Sequence, residues 1–173
     1  MKFRLLPLFT LLASVLADAD PNPILTALNT IATDTVGLNK TVSSFGGSPL
    51  TLLQITVESA KLLADIKAGT GTANAAANLT LGQTIEIATA TLGLATDVNQ
   101  TIASIIAAKP SFDKLLVVDP VILLNLKLEQ DAARDFGAAV VAKVPEALQA
   151  IAQSLTQRID DSFAEGLAAY EAW

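Results

Sequence analysis

Apolar residues in this chain recur at alternating steps of four and three, a spacing that admits helices and little else. Ile24, Leu28, Ile31, Thr35, Leu38 and Val42 fall on one stripe, as do Leu52, Ile55, Ser59, Leu62, Leu63 and Ile66. A third set joins Ile87, Thr91, Val98, Ile102 and Ile105; a fourth joins Ile122, Leu126, Ala133, Phe136 and Val140. The last runs through Leu148, Ile151, Leu155, Ile159, Ser162, Gly166 and Tyr170. No alternating strand pattern competes anywhere. The spacing predicts an all-α, single-domain bundle of five amphipathic helices.

Proline and glycine punctuate these stripes. Asn22-Pro23 reads as an N-cap and first helical residue, because the N–H that proline lacks has no partner there. Helix one is expected to end near Gly46-Gly47. Ser48-Pro49 starts the second helix, which Gly69 and Gly71 are expected to stop, leaving GTGTANAAAN as a loop. Thr80 and Gln83 have capping-box spacing, so the third helix starts there and runs to about Ala108. Lys109-Pro110 is expected to end it, since the residue before proline is pushed out of the α region. Asp119-Pro120 then reads as N-cap and first residue of the fourth helix, and Pro145 opens the fifth. Between them Phe112, Leu115, Leu116, Val117 and Val118 make an apolar crossover.

Composition narrows the function classes. The 173 residues are 51% hydrophobic but only 5% aromatic, which suits close-packed helices. A formal charge of -6 argues against a nucleic-acid face. There is no cysteine and no histidine. Thiol nucleophiles, imidazole bases and the common zinc and copper ligands are therefore missing, and neither a metal site nor a cofactor is expected. The paired acids Asp160-Asp161 and Asp131/Asp135 read as solvated helix faces, so no catalytic residue is assigned.

Residues 1–17 read as a signal peptide, leaving 18–173 as the domain. Lys2 and Arg4 precede an apolar run from Leu5 to Leu16 that is too short to span a bilayer, and Ala17 or Ala19 suits cleavage. Cleavage would take the basic count from 11 to 9 against 17 acids, a mature charge of -8. Three glycosylation sequons begin at Asn39, Asn78 and Asn99; Asn78 lies in the expected loop, whereas the other two flank apolar faces. The C-terminal residues Ala168 to Trp173 show no hydrophobic tail after a polar spacer, so neither a lipid anchor nor a transmembrane anchor is expected.

The Ala108-Lys109-Pro110-Ser111-Phe112-Asp113 junction, the Leu126-Lys127 helix and the Ala142-Lys143-Val144-Pro145 break, in a cysteine-free Ala/Leu/Thr-rich chain, resemble one fungal family. It is the hydrophobic surface binding protein A family, related to the cell-wall galactomannoproteins. The resemblance implies a small helical domain that binds hydrophobic solids and recruits a secreted esterase such as a cutinase. Galactomannoprotein relatives enclose long-chain fatty acids between helices, which implies a lipid-binding glycoprotein of the cell wall as the alternative. Either way an extracellular protein is implied, secreted or held non-covalently in the wall.

Polar residues interrupt the apolar stripes. Thr35, Ser59, Thr91 and Ser162 fall near the centre of their faces, and so does Glu129. Buried hydroxyls can bond the carbonyl four residues back, and a rotated helix could carry Glu129 to water. The other reading is a semi-polar cavity for an acyl chain, with Ser162 and Gly166 removing volume one turn apart. Opening of the bundle to lay its apolar faces on a hydrophobic surface is compatible with both.

Overall fold

The computed structural model describes residues 22–115 and 118–171. The expected signal peptide, Leu116 and Val117 lie outside them. Five helices follow in order: α1 Pro23–Ser43, α2 Pro49–Ala75, α3 Leu81–Phe112, α4 Asp119–Val141 and α5 Glu146–Glu171. A single 3-10 turn, Asp113–Leu115, follows α3, and no strand occurs among the described residues.

Several starts are chemically specified. The Asn22 side chain accepts the Ile24 N–H, and Thr80 and Gln83 form the reciprocal capping box. The turn after α1 uses Gly47 at φ 88°, a left-handed conformation that glycine adopts without strain.

Three expectations about boundaries and one about a helix face are corrected. Gly69 and Gly71 do not stop α2, which runs on to Ala75. Gly69 is buried, and a Cβ there would sit 3.2 Å from the Phe136 ring, so this glycine serves a close helix approach. Lys109-Pro110 does not end α3, which continues to Phe112. Pro110 withholds one helical N–H, yet the neighbouring Ile105 carbonyl accepts the Tyr170 hydroxyl at 2.9 Å, and packing carries the helix past the break. Asp119 is the first helical residue rather than the cap, a place taken by Val118. Its side chain turns instead to Lys109 Nζ at 2.6 Å. Ile151, expected on the inner face of α5, is 59% exposed.

Side-chain links fix the directions. Lys61–Asp34 and Gln54–Thr41 run in opposite senses along α1 and α2, which are therefore antiparallel. Ser59–Glu129 and Lys143–Asn74 run in the same sense, so α2 and α4 are parallel. The same test makes α3 parallel to α1 (Thr101–Thr35, Ser104–Asn39) and to α5 (Asn99–Ser162, Tyr170–Ile105). Packing proceeds α1–α2–α4–α5–α3 and back to α1, a closed ring. Five rods in a ring leave space on the axis that small or short side chains do not fill.

One end of the ring is clamped by charge. Lys109 pairs with Asp113 at 2.8 Å and with buried Asp119, and lies 4.9 Å over the Tyr170 ring. Phe45 stacks on Phe112 nearby, with centroids 4.4 Å apart. At the opposite end the Leu79 N–H donates to the Lys143 carbonyl, tying the α2–α3 turn to the α4–α5 turn.

Candidate functional site

The axis of the ring holds a cavity of about 560 Å³, within the range of small-molecule sites. Its wall is mostly aliphatic: Leu28, Ile31 and Leu38 from α1, Leu62 and Ile66 from α2, Leu94, Val98, Ile102 and Ile105 from α3. Phe136 and Val140 of α4 and Ile159 and Phe163 of α5 complete it. From Glu129 to Ala142, both in the wall, α4 rises about 20 Å. A packing defect does not reach this size. At about 24 cal/mol per Å³, leaving the space unfilled would cost on the order of 10 kcal/mol, comparable with the whole stability of a domain.

Thr35, Thr91 and Glu129 all face this cavity. Ser59 reaches it through Glu129, whose Oε1 accepts the Ser59 hydroxyl at 2.6 Å. Both residues also border a second cavity of about 40 Å³ toward Val42, Phe112 and Val118, so their pair stands in the partition. Ser162 and Gly166 are buried outside the lining. The Ser162 hydroxyl donates to the Arg158 carbonyl and accepts from Asn99, while Gly166 lets Ile102 approach to where a Cβ would be 3.1 Å away.

Glu129 is only 4% exposed, and Ser59 is its hydrogen-bond partner among the described residues. Rotation to water is thereby corrected. Burial pushes the carboxyl up to about 7, against the smaller downward pull of the Ser59 hydroxyl. The other charged groups in the wall are Arg134 and Asp160; α1, α2 and α3 contribute none.

Donors and acceptors are segregated. Thr35 donates its proton to the Ile31 carbonyl, Thr91 to Ile87, and Thr101 to Asp97 and Thr35. Ser59 spends its proton on Glu129. The interior therefore offers oxygen lone pairs, and its one available proton is that of a neutral Glu129. Nitrogen donors lie along the α4–α5 seam at Arg134, Gln153 and Gln157. Gln157 already donates to Asp160 and Asp161, while Thr156 gives its proton to the Gln153 carbonyl. Arg134 is forked onto Asp160, with Nε–Oδ1 2.6 Å and Nη2–Oδ2 3.1 Å. At this seam a Cβ on Gly137 would come within 2.9 Å of Thr156 Cγ2, so glycine sets how closely the helices approach.

Sequence reasoning missed the seam. Arg134, Gln153 and Gln157 sit at the edges of their stripes, where amphipathic reading expects solvent. Thr101 was visible, yet it registers first as the third residue of a sequon. Among the described residues no group of acids forms a metal cluster, and no helix is long and apolar enough to cross a membrane.

Known structures share this architecture. The crystal structure of AFMP4P in complex with palmitic acid matches with TM-score 0.81 and 28% identity, over 85% of this chain and 97% of that one. Ligand binding domain 1 of Penicillium marneffei MP1, complexed with arachidonic acids, matches with TM-score 0.81 and 17% identity, covering 86% and 97%. Domain 2 of the same protein, complexed with multiple arachidonic acids, gives 0.82 and 17%, covering 89% and 97%. No curated protein matches the chain. The family description "Hydrophobic surface binding protein A" fits residues 21–142, a span that takes in α1 to α4. The chain is a member of the hydrophobic surface binding protein A family.

Proposed function

We propose that this protein binds one long-chain fatty acid in the cavity of the helical ring, with its carboxylate at the α4–α5 seam. The observation that carries the reading is the 560 Å³ aliphatic cavity, whose guanidinium and amide side chains lie at the α4–α5 side. Each methylene moved from water into that wall contributes about 0.8 kcal/mol, so the tail supplies most of the affinity. Inside, an ionised carboxylate meets mostly lone pairs, whereas the guanidinium of Arg134 and the amide of Gln153 can receive it at the seam. The palmitic acid held by AFMP4P, 28% identical over nearly its whole chain, supports the same ligand class. Delipidated protein titrated with a fluorescent fatty acid tests the proposal: one saturable site displaced by palmitic acid is expected, and absence of saturation removes it. Mass spectrometry of native protein for co-purifying acid is an independent check.

A second reading has its own observation. The outer face of α2 carries Leu50, Leu53 and Val57 at 79%, 62% and 60% exposure, continued by exposed Ala60, Ala64 and Ala68. A rod apolar on both faces suits adsorption to a hydrophobic solid. Retention on hydrophobic beads in high salt is the expected result; loss in salt would mean a Coulombic contact instead. Recruitment of an esterase by the adsorbed protein is the finer form of this reading, testable by its co-retention on the same beads. Both readings take the protein to be secreted, with residues 1–17 as signal peptide. Asn78, exposed in the α2–α3 loop, is then the sequon expected to be occupied, whereas Asn39 holds the Ser104 hydroxyl at 2.7 Å.

A further inference from the structure

We infer that the Ser59–Glu129 pair is a subsite for a hydroxyl group on the lipid, so that the preferred ligand is a hydroxylated long-chain acid rather than a plain one. This rests on the cavity reading above and narrows it. Glu129 stands at one end of the 20 Å run of α4 that lines the cavity, in the partition to the smaller cavity, and is nearly inaccessible to solvent. Ser59 occupies Oε1, and no other hydrogen bond to the carboxyl is seen among the described residues. A carboxyl in an aliphatic wall with one oxygen left over takes a partner there, a donor when ionised and an acceptor when neutral. Among the described residues the carboxyl bonds Ser59 alone: Arg134 is held by Asp160, and the Thr35 and Thr101 protons go to backbone carbonyls.

The occupant of the cavity can supply that partner. A methyl-ended acyl chain covers the carboxyl and leaves that oxygen unpaired. An ionised head group would repel the ionised form of Glu129. A hydroxyl on the chain serves both forms, accepting from the neutral carboxyl and donating to the ionised one, while the ligand's own carboxylate stays at the seam. The two ends of such a ligand thus match the two polar regions of the wall. A purely structural Ser59–Glu129 bond would not make ligands with and without a hydroxyl bind differently.

Competition against a bound fluorescent fatty acid reads this out, using palmitic acid beside 16-hydroxypalmitic acid and isomers hydroxylated along the chain. Wild type is expected to bind at least one hydroxylated acid about tenfold more tightly than palmitic acid. Glu129→Leu should abolish or invert that advantage while retaining palmitic acid, and Glu129→Gln should keep part of it. Glu129→Met replaces the leucine variant should that fail to fold. If no hydroxylated isomer outcompetes palmitic acid in wild type, or if the advantage survives in Glu129→Leu, the subsite is overturned while the cavity reading stands. If no acid binds at all, both fall.

Discussion

Glu129 should make the fold weaken as the medium turns alkaline, contrary to the behaviour of most surface carboxylates. Its carboxyl is lifted from 4.5 to about 7 by burial. A group whose folded value is raised binds more protons in the folded than in the unfolded chain between those two values, so stability declines with rising pH across that window. The difference of about 2.5 units, at about 1.36 kcal/mol each, amounts to roughly 3 kcal/mol between acid and alkaline plateaus. Asp65 and Asp113, lowered by their lysine partners, act in the opposite direction but below the window, under 3.8. Asp34 is raised mainly by burial and adds to the decline from 3.8 upward. Glu129→Gln keeps the size and hydrogen bonding but cannot ionise. Urea denaturation of delipidated protein at pH 5 and pH 8 should show wild type losing about 2–3 kcal/mol and the variant losing much less. At pH 8 the variant should be the more stable of the two. Equal slopes in both proteins would mean that Glu129 reaches solvent, and the argument from burial would fail.

Other outcomes follow from named contacts. Arg134→Met should weaken binding of ionised palmitate several-fold at pH 8 but leave its methyl ester unaffected, measured by displacement of a fluorescent acid. Gly137→Ala should destabilise by about 1–2 kcal/mol, since a Cβ meets Thr156 at 2.9 Å and overpacking exceeds the helix-propensity gain. Gly93→Ala, with nothing within 4 Å, should stabilise by about 0.5–1 kcal/mol in the same thermal-melt comparison. Tyr170→Phe should cost about 1 kcal/mol in urea denaturation by removing the donor to Ile105.

The fold was legible because helix starts and inner stripes are local. Asn22-Pro23 and Thr80…Gln83 carry their caps within a few residues, and the spacing of Leu28, Ile31, Leu38 and Val42 belongs to one helix. The errors came where a distant partner overrules a local signal. Gly69 looks like a terminator until Phe136 is placed against it, and Pro110 looks like an end until Tyr170 arrives from sixty residues on. The site behaved likewise. Helical wheels put Ser59 and Glu129 at the centres of their faces, but nothing in either stretch says that two parallel rods bring them within 2.6 Å. Ser162 was placed on an inner face for the same reason, and its hydroxyl is used at the α3–α5 contact instead.

The tie between Leu79 and Lys143 bears on how an oily guest gets in. It roots α5 at its first residues, next to the turn shared with α2 and α3. The far tip of α5 is held too: Tyr170 is fully buried, bonds the Ile105 carbonyl and lies under Lys109, and Glu171 pairs with Lys127. A rod pinned at both ends can part from its neighbour only along its flank, and the flank it shares with α4 is the seam that bears Arg134 and Asp160. A guest slipping through there would disturb that fork and leave both rims of the barrel at rest.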